Sequence, residues 1–146
     1  MVSMDYFQCY ERQGENSMTF RDTQIILHVK RYCLDIKEAL VRCSNDYEQF
    51  LNDTLVRHAI SMCIMQVGEF SGRLSDEFKD QTKNRVMWGA IRSMRNWFAH
   101  EYTKMDISEV WESATRDIPS LLAFCDEIIG QNPDAFKFPD KPEDDE

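Results

Sequence analysis

Glycine and proline are scarce in this 146-residue chain, with five and four copies, and three of the prolines (Pro133, Pro139 and Pro142) fall near its end. Folds of short strands and tight turns need both residue types, so their scarcity argues for helices. A long apolar run is also missing. Nothing approaches the roughly 18 to 20 residues that cross a bilayer, and no membrane association is expected. The stretch from Met1 to Phe20 is polar and mixed, without the basic n-region and apolar h-region of an export signal, which points to the cytoplasm. The cysteines, Cys9, Cys33, Cys43, Cys63 and Cys125, are odd in number and form no C-x-x-C pair. A disulfide framework or zinc site is therefore not expected, and they read as reduced, mostly buried fillers. No metal or other cofactor is expected.

Positive charge is in deficit too. The formal net charge is −9, and residues 131–146 hold six acids against Lys137 and Lys141. The body without that tail is still acidic, which excludes broad electrostatic attraction to nucleic acid; any RNA contact has to be a local basic site.

What the chain does have is apolar residues at helical spacing, 42% hydrophobic overall, enough for one core. From Phe20 to Cys43, the residues Ile26, Val29, Cys33, Ile36 and Leu40 recur in steps of three and four, predicting a first long helix. Ser44, Asn45 and Asp46 break it, and a short helical turn is expected over Tyr47 to Leu51. Asn52 or Asp53 caps a second long helix, whose buried stripe is read as Leu55, Ala59, Met62, Cys63, Val67, Phe70 and Leu74. Ser75 to Asn84 holds few apolar residues and reads as a connection with one helical turn near Glu77. A third helix is expected from Arg85 to about Ala99, with Met87, Ile91, Met94 and Phe98 inward and Trp88 and Trp97 at the flanks. Asp106 and Glu109 resemble a capping box for the last helix, which ends at Gly130 and contains Pro119, so a kink is expected near Thr115 to Ile118. The expected architecture is all-α: an antiparallel four-helix bundle over residues 20–130, with one or two short extra helices and a kinked last helix. Residues 1–19 form a loosely packed extension, and 131–146 an acidic, proline-containing tail.

The third helix carries a polar set. At about 100° per residue, Arg92, Asn96 and His100 lie on one side, Arg95 projects close to Arg92, and Tyr102 follows the histidine. Two guanidinium groups, an amide and an imidazole suit a phosphodiester. Arginine holds phosphoryl oxygens and stabilises the charge of a pentacovalent transition state, while histidine exchanges a proton with a ribose 2′-hydroxyl or a leaving oxygen. An internal 2′-hydroxyl nucleophile needs no metal ion. A plainer reading stands beside this one: a helix-end histidine pairs with the last carbonyls, and arginines on a polar face are solvated surface. Arg95 and His100 are also about 140° apart on an ideal helix, so they meet at one phosphate only if the helix loosens or a second subunit contributes.

Met94 to Tyr102 reads M-R-N-W-F-A-H-E-Y, an R-x4-H-x-Y pattern at Arg95, His100 and Tyr102. This resembles the HepT toxins of the HEPN superfamily, helical bundles with an R-x4-6-H motif. Val67-Gly68-Glu69, Val110-Trp111-Glu112 and Asp117-Ile118-Pro119 are similar to that family's I-G-E, V-W-E and D-L-P segments. About 110 residues, from Phe20 to Ile129, fit the resemblance. It implies a metal-independent endoribonuclease acting as the toxin of a toxin–antitoxin pair, with an RNA substrate such as transfer RNA and with Arg95 and His100 as the catalytic pair. It further implies a homodimer whose two motifs line one cleft, and substrate orientation by Asn96 and Arg92. The implied partner is an MntA-like nucleotidyltransferase antitoxin that attaches AMP to Tyr102. Glu69 is either a carboxylate supporting the motif or a solvated, helix-pairing glutamate. Where many relatives carry Arg-Asn before the I-G-E, this chain has Met62-Cys63, leaving Arg57 and Arg73 as the arginines that could substitute. A non-catalytic HEPN module that presents its cleft to a nucleotidyltransferase is the alternative function.

Overall fold

The computed structural model describes residues 18–101 and 106–137, the side chains of residues 100 and 101 excepted. The N-terminal extension to residue 17, Tyr102 and the last nine residues of the acidic tail lie outside the described residues, as does the His100 side chain. Among the described residues all regular structure is helical: α1 (Phe20–Arg42), α2 (Tyr47–Asn52), α3 (Thr54–Ser71), α4 (Asp76–Thr82), α5 (Trp88–Glu101), α6 (Ile107–Glu112), a π-helical stretch (Ser113–Asp117) and α7 (Ile118–Gln131). α1 packs chiefly on α3 and α7, and α3 on α5. No helix among these residues is long and apolar enough to cross a membrane.

α1 follows its sequence pattern closely: Ile26, Val29, Cys33, Ile36 and Leu40 are all buried. Its start is fixed by Thr19, whose hydroxyl accepts from the Asp22 backbone N–H while the Asp22 carboxylate accepts from the Thr19 N–H. That carboxylate also accepts from the Ser75 N–H at 2.8 Å and the Ser75 hydroxyl at 2.7 Å, and Ser75 in turn caps α4. One buried carboxylate thus satisfies donors at two helix starts 53 residues apart in sequence. Burial alone raises its pKa, but the hydrogen bonds from Ser75 and Thr19 together outweigh burial and hold it below the usual value. The chain leaves α1 through Ser44 and Asn45, both in the left-handed region with φ of 56° and 51°, which lets the Ser44 and Asn45 N–H groups reach the Val41 and Leu40 carbonyls.

Three expectations are corrected. Asp53 caps α3 as one of the two anticipated residues; of the expected stripe Val67 and Leu74 are buried and Cys63 and Phe70 half-buried, but the inward places nearer the start of the helix belong to Val56, Ile60 and Ile64 and not to Leu55, Ala59 and Met62. Leu55 is 79% exposed and Met62 53%. Both stripes keep helical spacing, and tertiary packing on α1 and α5 decides between them. The single helical turn expected near Glu77 within Ser75 to Asn84 is a longer helix, α4, held by only two inward residues, Phe78 and Thr82. Phe78 is fully buried and packs near Trp88 and Phe124. Finally, α5 begins at Trp88 rather than Arg85, because the Arg85 and Val86 N–H groups are bonded back to the Thr82 carbonyl. Met87 therefore precedes the helix and is 76% exposed, while Val86 takes the buried place.

The disturbance expected before Pro119 is a change of winding: the π-helical stretch ends at Asp117, and Pro119, which has no N–H to give the preceding turn, sits in the first turn of α7. Asp106 caps α6 through the Ser108 N–H. Cys33, Cys43 and Cys125 are buried, Cys63 is half-buried, and none of the four is disulfide-bonded. Burial pushes the Cys33 thiol up to about 12 and the Cys63 and Cys125 thiols in the same direction, so these sulfurs are packing groups rather than nucleophiles.

Candidate functional site

The site lies where α5 crosses α3. A Cβ built on Gly68 would come within 2.4 Å of the Arg95 Cβ and 3.3 Å of its Cα, so the helices meet this closely only because residue 68 has no side chain. Next to that contact, Arg95 Nε donates to Glu69 Oε2 at 2.7 Å, and Arg95 Nη1 donates to Asn96 Oδ1 at 3.1 Å. The other Glu69 oxygen, Oε1, lies 3.6 Å from Arg73 Nη2. Glu69 thus stands between two arginines and fixes the rotamer of Arg95.

The Arg95 and Glu69 side chains are each 36% exposed. A pair this accessible contributes about 0–1 kcal/mol to stability, so its consequence is orientation more than folding. Among the described residues, the hydrogen bonds that the Arg95 guanidinium makes are those to Glu69 and Asn96.

The sequence-derived residues are only partly brought together. Arg95, Asn96 and Glu69 meet directly. Arg95 does not share the outward stripe with Arg92; it is half-buried and turned towards α3, while Arg92 is exposed on the outer side. Asn96, also exposed, reaches Arg95 through its amide oxygen. Of the arginines that could replace the missing one near Met62-Cys63, Arg57 bonds the Leu51 carbonyl and the Thr54 hydroxyl at the start of α3, and Arg73 is the one that reaches Glu69. Sequence reasoning did not assign Gly68 its role beyond the V-G-E likeness; a lone glycine inside a helical pattern is the signal that marks such a close approach. Among the described residues no cluster of three or more His, Cys, Asp or Glu side chains could hold a metal.

α5 is seated firmly at its start. Trp88 Nε1 donates to the Thr82 hydroxyl at 2.9 Å, and the Trp88 ring meets Phe124 edge-on at 5.8 Å. Arg85 forks onto Glu127 of α7. Between α5 and α7 runs a groove of about 270 Å³, lined by Val67, Ile91, Met94, Ile118 and Leu121 among others, with Arg85, Asp117 and Ser120 as its polar members. Its apolar walls do not suit a phosphodiester, and Arg95 is not among its lining residues.

Comparison with known proteins bears on what this crossing serves. The chain is 28% identical over 76 residues to a candidate RNase of Methanocaldococcus jannaschii, a match covering 52% of this chain and 69% of that protein. It is 28% identical over 102 residues to a candidate RNase of Caldanaerobacter subterraneus subsp. tengcongensis, covering 70% of this chain and 88% of the relative. With a candidate ribonuclease HepT of Thermococcus cleftensis it shares 29% identity over 97 residues, covering 63% and 87%. No solved structure matches the chain significantly. The family model described as "Ribonuclease HepT-like" matches residues 29–128, a span that takes in α3, the Gly68–Arg95 crossing and α5. The chain belongs to the HepT-like ribonuclease family, and its enzymatic class is that of an endoribonuclease.

Proposed function

We propose that the chain is the toxin of a toxin–antitoxin pair and cuts RNA, transfer RNA being the favoured substrate, with Arg95 and His100 as its catalytic pair. The observation that carries this reading is the clamp on Arg95: Glu69 and Asn96 each take one of its donors and so fix the plane of the guanidinium. A pre-aimed guanidinium offers charge to the transition state without reorganising during reaction. The ribose 2′-oxygen attacks phosphorus, the bond to the 5′-oxygen breaks, and His100 exchanges the proton between these oxygens. The products are a 2′,3′-cyclic phosphate and a 5′-hydroxyl. Arg95 holds the phosphoryl oxygens, Asn96 and Arg92 orient the strand, and Glu69 supports Arg95.

The 140° between Arg95 and His100 on an ideal helix favours a site shared by two copies of the chain. Met87 and Trp97, large apolar residues exposed on or beside α5, are in keeping with such an interface. An MntA-like nucleotidyltransferase antitoxin attaches AMP to Tyr102, two residues beyond His100, adding bulk and negative charge to the cleft. The pair works in the cytoplasm.

Cleavage of transfer RNA in EDTA, with product ends identified by mass spectrometry, tests the proposal. Cyclic phosphate ends that vanish in Arg95→Ala and His100→Ala, both folded by circular dichroism, are expected. Cleavage by the folded double variant removes the catalytic assignment. The net charge of −9 favours a second reading, a HEPN module that engages its nucleotidyltransferase without cutting RNA; a native chain that acquires AMP on Tyr102 yet leaves every RNA intact would establish it.

A further inference from the structure

Beside the Arg95 clamp, α1 and α3 bring three rings and a guanidinium together. The His28 ring lies face to face on Phe70, with centroids 4.7 Å apart and planes 15° from parallel, and Tyr32 leans on the same Phe70 ring at 5.8 Å. The Arg73 guanidinium stands 5.2 Å from the Phe70 centroid. Arg73 also reaches the Glu69 carboxylate that holds Arg95. The group therefore runs without a gap from Arg95 through Glu69 and Arg73 to the rings. Phe70 and Tyr32 are half-buried, whereas His28 is exposed, so the stack ends in an imidazole open to solvent.

Phe70 and Tyr32 pack against the core to which Ile25, Val29, Ile64 and Val67 belong, whereas the His28 ring is exposed outside it. The chemistry of the stack is that of a grip on a single strand. Every nucleobase has a π-face that continues an aromatic stack whatever its identity, and guanidinium groups accompany the rings to hold the backbone. This arrangement also answers the acidic net charge: a site that gains part of its hold from stacking needs fewer cations than one that binds through phosphates alone.

We propose that His28, backed by Phe70 and Tyr32, is a base-stacking subsite for an unpaired nucleobase near the phosphate held at Arg95, with Arg73 on the backbone between them. The subsite rests on the assignment of RNA as substrate and Arg95 as phosphate ligand. It gives the protein a preference for a single-stranded segment at the cut, since a paired base cannot leave its helix to lie on His28.

The test is the binding of a fluorescein-labelled single-stranded RNA to the full chain carrying His100→Ala, with each base in turn replaced by an abasic residue. One abasic position should weaken binding about tenfold, the effect of losing one stacked base. Adding His28→Leu, which keeps an apolar contact on Phe70 but has no π-face, should weaken the intact strand to the same degree and abolish the dependence on that position. His28→Trp should restore both. Unchanged affinity in His28→Leu, an abasic penalty that persists in that variant, or no binding of any strand overturns the subsite. Because binding is read without cleavage, a native chain that stacks RNA but does not cut it refutes the catalytic reading and spares this one.

Discussion

If Arg95 holds the phosphate as proposed, its ion pair with Glu69 has little energetic weight but direct chemical consequence. With both partners about a third exposed, breaking the Glu69 to Arg95 bond should cost at most about 1 kcal/mol of stability. Misplacing a guanidinium at a reacting phosphate by an ångström, by contrast, costs about a hundredfold in rate. Glu69→Gln should accordingly melt within a few degrees of the native chain while kcat for RNA cleavage falls on the order of 10- to 100-fold, with Glu69→Asp intermediate. An unchanged kcat in Glu69→Gln would show that Arg95 needs no clamp. Gly68 makes the same point through sterics. A methyl group there would meet the Arg95 Cβ at 2.4 Å, and since that atom is fixed to the backbone, α5 itself has to move. Gly68→Ala should lose about 1–3 kcal/mol by overpacking and most of its activity, measured by urea unfolding and cleavage rate; native-like values of both would contradict the crossing described.

At the scale of the elements, helix identity was more legible than helix orientation. The α1 stripe from Ile26 to Leu40 was readable because its residues recur in unbroken steps of three and four, whereas the second apolar row at Phe20, Leu34 and Val41 recurs only every seven or fourteen positions and is exposed. α3 offered two, one from Leu55 through Met62 and one from Val56 through Val67, and periodicity cannot choose between faces of equal spacing. Only one turn of α4 was legible, near Glu77, because a two-turn helix anchored by Phe78 and Thr82 leaves almost no periodic signal. In the site, the local likeness around Val67-Gly68-Glu69 flagged the right residues, but contacts such as Glu69 with Arg95, 26 positions apart, exist only once the helices are packed. The Asp22 link between the starts of α1 and α4 is of the same kind, and it yields a pH dependence. Its folded pKa is depressed, so its contribution is complete above the unfolded value of about 3.9 and is lost as pH falls through the folded value. Asp22→Asn should lower stability by about 2 kcal/mol at neutral pH. The gap in urea midpoint between the two proteins should be constant at neutral and mildly acid pH and narrow only as pH falls below about 3.9; a gap that stays constant down to the acid limit of folding would mean that the carboxylate charge is not what joins the two caps.

For the molecule as a whole, the acidic surface and the local arginines divide the work between solubility and recognition. A chain of net charge −9 does not attract RNA at long range; on the reading proposed above, the grip comes from Arg95, Arg73 and stacking, and catalysis from the geometry at the α3–α5 crossing. An Arg95 turned to Glu69 and a His100 five residues further along the same helix are best served by a site that draws one group from each of two chains. Mixing folded Arg95→Ala and His100→Ala proteins under conditions that exchange subunits measures this directly. If Arg95 of one copy acts with His100 of another, each variant alone is inactive and an equal mixture recovers about one quarter of native cleavage, because half the dimers are mixed and each holds one intact site. No recovery in a mixture shown to exchange, or cleavage by either variant alone, would contradict it.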